Sequence, residues 1–219
     1  MTNIIAYFDM DRTVLRGSSG MLYMRYLWRH GQTSWRSMLL SSWYAIQYKL
    51  GLFDFPKVMA KLAAGASNGS EEATRELCQR FFDEMMVNYI APRAVQRIDD
   101  HRRQGHLVTL ISASTPYVVG PLAGHLGIEE YLCTRLEIVD GHFTGQIIEP
   151  GCYGPGKVHW AREYAQRHDA GLAQAYFYTD SRSDLPLLEL VGHPVAINPD
   201  PRLRTLAAQR SWPVESFYD

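Results

Sequence analysis

Three apolar runs in this chain of 219 residues end in side chains that could do chemistry. Ile4-Ile5-Ala6-Tyr7-Phe8 leads into Asp9-Met10-Asp11-Arg12-Thr13, Leu107-Val108-Thr109-Leu110-Ile111 into Ser112-Ala113-Ser114, and Ala175-Tyr176-Phe177-Tyr178 into Thr179-Asp180-Ser181-Arg182-Ser183-Asp184. As neighbouring strands of one open sheet, these runs would deliver four carboxylates (Asp9, Asp11, Asp180, Asp184) and the hydroxyl of Ser112 to the rim where α/β sheets bind ligands. Anions gathered at one rim repel each other. A divalent cation, a nearby lysine or a raised pKa relieves them. Lys157, just after a Gly/Pro-rich loop at 151–156, is placed to be that lysine. Singly these signals are weak. An Asp-x-Asp pair is often a turn, Ser112 could be a helix N-cap, Asp184 could cap the helix beginning Leu185-Pro186, and a lone lysine is usually solvated. Their order, and their places after apolar strands, make the set informative.

The surrounding elements have to hold these strand ends together. Short apolar runs suit strands buried on both faces of a parallel sheet. The spacing predicts helices over 92–104, closed by Gly105, over 117–126, closed by Gly127, and over 157–168 and 184–191, with a last strand at 194–197. Asp140-Gly141 between two alternating runs predicts a hairpin. Alternating strands and helices imply a parallel α/β sheet. The stretch after the first motif differs. Leu22, Tyr26 and Leu27, then Met38, Leu39, Trp43 and Ile46, recur at helical spacing, and Asn68-Gly69-Ser70 precedes a helix with Glu71 and Glu72 in its first turn. The expected organisation is a core of residues 1–15 plus 91–219 with an all-helical insert at 16–90.

Composition narrows the function classes. Lys and Arg total 22 against 23 Asp and Glu, for a net charge of -1, so no electrostatic case exists for nucleic acid. The chain is 46% hydrophobic, which excludes a disordered or collagen-like protein. Three cysteines without a C-x-x-C pair read as buried or incidental thiols in a reducing compartment. No apolar run reaches the ~18 residues of a membrane span, and Met1-Thr2-Asn3 lacks a signal peptide's basic start. A cytoplasmic protein without a stable membrane anchor is expected, its oligomeric state unspecified.

Asp9-x-Asp11-x-Thr13, then Ser112 after a strand, then Lys157, then Asp180-Ser181-x-x-Asp184 resemble the four motifs of the haloacid dehalogenase superfamily of phosphatases. The closest likeness is to its phosphoserine-phosphatase-like subgroup, in which a helical cap is inserted after the first motif. Leu110 to Ser114, Asp140-Gly141, Cys152 to Lys157 and Ser183 to Leu188 share it. The resemblance implies an α/β fold, a three-layer Rossmann-like parallel-sheet core with an inserted all-helical cap. It implies a hydrolase of small phosphomonoesters that uses Mg²⁺. Asp9 would be the nucleophile that becomes an aspartyl phosphate. Asp11 would protonate the leaving oxygen and later activate water. Thr13 would help position Asp11 and, with Ser112 and Lys157, belong to the substrate-binding set. Mg²⁺ would be held by Asp9, Asp180 and the backbone carbonyl of Asp11, with Asp184 orienting the metal or its waters.

Two positions depart from the family pattern. Arg12 stands where many members have glycine or a small residue. Ser18 stands nine residues after Asp9, where phosphoserine phosphatases carry the glutamate that binds the substrate ammonium. A larger phosphomonoester than phosphoserine is therefore expected. Tyr23, Tyr26 and Trp28 could supply an apolar wall, and histidinol phosphate or a lysophospholipid are candidate substrates. In the bland alternative these aromatic residues, with Trp35, Trp43, Tyr44 and Tyr48, only pack within the cap, and Asp54 replaces the missing glutamate. A rival reading is a receiver-like phospho-signalling module, which also combines Asp, Ser/Thr, Lys and Mg²⁺ at strand ends. Such modules are shorter, uncapped, and carry the phosphorylated Asp on a later strand. A silent lipid or protein binder is a third reading. Gly151 to Lys157 mimics a P-loop, but Val158 takes the place of its metal-binding hydroxyl. The histidines offer no close metal-ligand pair beyond separations such as His101 and His106, so no zinc site is expected. His159 and Trp160 are assigned to the helix after Lys157.

Overall fold

The computed structural model describes residues 3–33 and 70–218. In chain order the elements are β1 (Ile5–Phe8), α1 (Ser19–Arg29), α2 (Glu71–Glu84), α3 (Pro92–Arg103), β2 (Leu107–Ser112), α4 (Pro116–His125), β3 (Tyr131–Cys133), β4 (Leu136–Val139), β5 (His142–Ile147), α5 (Pro155–Arg167), β6 (Tyr176–Thr179), α6 (Leu185–Leu188), β7 (His193–Ile197), α7 (Pro201–Gln209) and β8 (Val214–Glu215). Six parallel strands form one sheet in the order β3-β2-β1-β6-β7-β8. β4 and β5 form a separate antiparallel hairpin.

The central strands of the six-stranded sheet are mostly apolar because both faces of the sheet are covered. Along β1, Ala6 and Phe8 enter one hydrophobic layer with Ile98 of α3 and Val119 and Leu122 of α4. Ile5 and Tyr7 enter the other, with Trp160, Ala161 and Tyr164 of α5 and Leu203 of α7. The result is the expected three-layer α/β core. Strand order reverses between β1 and β6, since the chain proceeds outward to β2 and β3 on one side and to β7 and β8 on the other. The carboxyl ends of strands flanking such a reversal form a crevice. Asp9 and Asp180 follow those two strands directly.

The chain leaves the sheet after Leu15 and re-enters at Ile90, and these two residues pair across the exit. Arg16 N donates to Tyr89 O at 2.7 Å and Ala91 N to Val14 O at 2.9 Å. Between these points, α1 and α2 meet through Tyr23, Tyr26 and Phe81. Ser70 caps α2 by accepting from Ala73 N. The helical spacing at Met38, Leu39, Trp43 and Ile46, the Asn68-Gly69 signal, and Trp35, Tyr44, Tyr48 and Asp54 lie outside the described residues. The hairpin turn uses left-handed Asp140 (φ 49°) and Gly141 (φ 75°), and Gly141 O accepts from Glu71 N at 2.9 Å, tying the turn to α2.

Several expectations are corrected. β3, β8 and α7 are additional elements, so β7 is not the last strand. α5 starts at Pro155, ahead of Lys157, because Gly154 turns the chain with φ 51°. α6 is a single turn and stops short of Val191. Beyond it the chain must bring Gly192 so close to Ala173 that a Cβ would stand 1.9 Å from the Ala173 carbonyl oxygen. His101 and His106 meet, with Nδ1 atoms 2.8 Å apart, and His101 Nε2 lies 2.8 Å from the Tyr178 hydroxyl. Burial, then the neighbouring His106 and Arg97 charges, lower His101 to about 4. Cys78, Cys133 and Cys152 are all buried free thiols. No helix among the described residues is long and apolar enough to cross a membrane.

Candidate active site

β1 delivers Asp9, whose amide donates to Tyr178 O of β6 at 2.9 Å. The chain then makes one wide turn, closed by Leu15 N donating to Met10 O at 2.9 Å. This turn swings Asp11 back toward the first residue of α1. Ser19 N donates to Asp11 Oδ1, so this carboxylate satisfies a free amide at a helix N-terminus, where the helix dipole favours an anion. Burial raises the Asp11 pKa and the Ser19 hydrogen bond opposes the rise.

Lys157 lies in the first turn of α5 and is 2% exposed. Its Nζ donates to Asp9 Oδ1 at 2.6 Å and to Asp184 Oδ2 at 2.8 Å. Burial acts to neutralise the lysine, but Asp184 and Asp9 outweigh it and hold the ammonium charged. The loop before it is shaped by backbone proximity. A Cβ on Gly156 would stand 1.8 Å from Gly151 O, which leaves room only for glycine. Asp184 is fixed from a second side, since Thr179 Oγ1 donates to its Oδ2 at 2.6 Å. Ser112, at the end of β2, is buried and its Oγ accepts from Ser114 N at 3.1 Å.

The charges do not balance. Asp9, Asp11, Asp180 and Asp184 face one buried ammonium. Burial, with Asp184 adding to it against Lys157, pushes Asp9 up to about 7. Burial, Asp9 and Asp184 push Asp180 up to about 8. Arg12 is exposed, yet its charge reaches Asp180 and Asp11 and opposes the rise in both. A crowded, hard-oxygen donor set of this kind fits a divalent cation. Among the described residues no group of three or more acidic, histidine or cysteine side chains is placed to hold a metal ion by itself. A cation there would keep other oxygen ligands, as Mg²⁺ does.

Asp9, Lys157, Asp180 and Asp184 are brought together as the spacing implied, and Asp11 lies beside them. Thr13 is different: it is fully buried and its Oγ1 has no hydrogen-bond partner among the described residues. The contact to Asp11 comes from Ser19 N instead. A backbone donor has no side-chain signature, although the Ser18-Ser19 pair before an apolar run marks the helix start. Thr179, a hydroxyl beside Asp180 at a strand end, is a further contact of the site that lies outside the four motifs. Tyr26 is buried against Phe81, and Trp28 is 55% exposed. Tyr23 also packs edge-on against Phe81. The P-loop mimic carries Lys157 into the carboxylates, and Trp160 Nε1 donates to Pro150 O at 2.7 Å, a structural role.

The family model for haloacid dehalogenase-like hydrolases matches residues 6–189. The chain belongs to that family. It is 35% identical over 217 residues to phosphoserine phosphatase SerB1 of Mycobacterium tuberculosis, covering 97% of this chain and 70% of that one. It is 29% identical over 219 residues to a histidinol-phosphatase of Neisseria meningitidis, covering 97% and 98%. A solved structure of a protein of unknown function from Bordetella pertussis superposes with a TM-score of 0.89 at 26% identity, covering all of both chains. The resemblance read from the motifs is thereby established, and this chain is a phosphatase with the capped α/β fold of the phosphoserine-phosphatase-like subgroup. That family assignment replaces the receiver-like reading.

Proposed function

We propose that this phosphatase hydrolyses small phosphomonoesters through a phosphorylated Asp9 and uses Mg²⁺. What carries the reading is Lys157 Nζ bridging Asp9 and Asp184 at the strand reversal. Lys157 occupies Asp9 Oδ1, leaving Oδ2 to attack phosphorus. As the new O–P bond forms, the bond to the leaving oxygen breaks and Asp11 gives that oxygen its proton. A water then attacks phosphorus and gives a proton to Asp11. The Asp9–phosphate bond breaks, releasing inorganic phosphate and the free carboxylate. Asp9, Asp180 and the Asp11 backbone carbonyl would hold Mg²⁺, and Asp184 would orient its waters while keeping Lys157 in place. Bound there, the cation neutralises charge on the transferring phosphoryl group. Ser112 and Lys157 hold phosphoryl oxygens, and Thr13 packs the turn beneath Asp11. Residues 16–90 act as the cap over the core of 1–15 and 91–219.

Hydrolysis of p-nitrophenyl phosphate tests this. Turnover should require Mg²⁺ and vanish in Asp9→Asn. Undiminished turnover in excess chelator, or a fully active Asp9→Asn, would overturn it. Asp11→Asn should lose about 10²–10⁴-fold, the usual worth of general acid–base catalysis. With this activated leaving group the loss should fall on the second step, so phosphoenzyme accumulates in rapid-quench samples. Equal loss in both steps contradicts the assignment.

The substrate reading rests on Ser18. It precedes the residue that binds Asp11 and has no charge to offer an ammonium. Phosphoserine should therefore be a poorer substrate than a larger phosphomonoester such as histidinol phosphate. Specificity constants for phosphoserine, histidinol phosphate and a short-chain lysophosphatidate decide the matter, and a clear preference for phosphoserine overturns it.

A further inference from the structure

Arg12 separates the two aspartates of the first motif and adopts φ 57° and ψ 6°, a left-handed conformation that residues with a Cβ disfavour. Two hydrogen bonds hold it there. Its N–H donates to Gly17 O at 3.0 Å, within the same turn. Its carbonyl accepts from the Tyr218 hydroxyl at 2.8 Å, across 206 positions of sequence. Tyr218 also lies within electrostatic reach of Asp180 and Asp11, at the rim of the site.

The segment carrying Tyr218 is itself anchored. β8 pairs with β7, and Asn198 N donates to Glu215 O at 2.9 Å. The Glu215 carboxylate pairs with Arg97 of α3 at 2.6 Å. Phe217 is buried, its ring centroid 6.1 Å from that of Tyr178, two residues before Asp180. Tyr218 N donates to Ser216 Oγ at 3.3 Å. The phenol thus reaches the turn from a strap fixed on the sheet edge, on α3 and in the core.

We infer that Tyr218 is a positioning residue for the first-motif turn. With the Arg12 N–H and carbonyl both held, the two peptide planes flanking Arg12 are fixed, and with them the direction of the Asp11 backbone carbonyl. Mg²⁺ affinity then depends on a phenol outside all four motifs. The inference rests on the proposed function for the identity of the metal.

Tyr218→Phe keeps the ring and removes only the hydroxyl. Calorimetric titration of the full chain with Mg²⁺ reads the consequence directly. The Mg²⁺ dissociation constant should rise about two- to tenfold, the fold-change to which one hydrogen bond converts. Turnover of p-nitrophenyl phosphate should fall at limiting Mg²⁺ and recover at high Mg²⁺, with KM for the ester unchanged. An unchanged Mg²⁺ affinity overturns the inference, whether or not the melting temperature drops, because the phenol is then only a structural clamp. A raised KM at unchanged Mg²⁺ affinity also overturns it, since the hydroxyl then contacts substrate. Weakened Mg²⁺ binding in Tyr218→Phe, alongside a wild type that binds Mg²⁺ but does not turn over the ester, leaves the inference standing and removes the proposed function. Turnover with equal Mg²⁺ affinities does the reverse, and a wild type that binds no Mg²⁺ sinks both.

Discussion

Lys157 is the only lysine or arginine buried among the described residues, and its two carboxylate contacts carry both the chemistry and a stability cost. Removing one partner of a buried ion pair leaves the other charge uncompensated, at about 3–5 kcal/mol. Lys157→Met should therefore lose that much stability in a urea titration at neutral pH, as well as activity. A loss under about 1 kcal/mol would mean that Asp9 and Asp184 find another partner or protonate without strain. Arg12 poses the opposite case. Its left-handed backbone costs a residue with a Cβ about 1–2 kcal/mol, part of which glycine returns as unfolded-state entropy. Arg12→Gly should stabilise the fold by roughly 0.5–1 kcal/mol, while Asp180 loses a charge that lowers its pKa. Destabilisation by this change would show that the guanidinium has a structural role at the rim.

Among the elements, legibility follows length. β1, β2 and β6 are largely buried on both faces, so each is a mostly apolar run, and a carboxylate can follow it only where the sheet ends. This is why Asp9 and Asp180 stand out in sequence. Thr109 within β2 is accommodated because its hydroxyl donates to Glu130 O at 2.9 Å. β3 and β8 have three and two residues, too few to show a period, and pairing with a neighbouring strand decides them. Ser19 N and Tyr218 leave no trace because their contacts depend on tertiary proximity. α7 was readable: Asn198-Pro199-Asp200-Pro201 is a cap signal with proline at the first helical position. Asp200 Oδ1 accepts from Arg202 N and Leu203 N, each at 2.8 Å, and Asp200 N donates to Asp180 O at 3.1 Å. This N-cap thus joins α7 to the loop that carries Asp180. Asp200→Ala should cost about 1–2 kcal/mol, the upper range for a lost N-cap, read by denaturant unfolding. Since the backbone contact to Asp180 survives, Mg²⁺ affinity should change less than in Tyr218→Phe. A larger loss of Mg²⁺ affinity in Asp200→Ala would transfer the positioning role to α7.

Over the whole molecule, two sets of buried groups oppose each other in pH. His101 has a folded pKa of about 4, below the ~6.5 of an unfolded histidine. The unfolded chain therefore binds its proton more readily, and the fold loses stability as pH drops from ~6.5 through the folded value. Asp9 and Asp180 are shifted the other way, to about 7 and about 8, against ~3.9 unfolded. The folded state holds their protons more tightly, so their contribution favours folding below ~4 and is lost as pH rises through the folded values. The two effects compete between ~4 and ~6.5, and above that only the carboxylates act. The metal-free protein should accordingly melt at lower temperature at pH 8 than at pH 6.5. Mg²⁺ binds the ionised carboxylates and competes with their protons, so its affinity rises across the same interval, and with it the stabilisation it supplies. Melting curves in chelator and in saturating Mg²⁺ should diverge as pH rises, the Mg²⁺-induced shift being larger at pH 8 than at pH 6. A shift independent of pH would mean that the cation does not bind at Asp9 and Asp180. A metal-free protein equally stable at both pH values would mean that their burial does not hold protons on them.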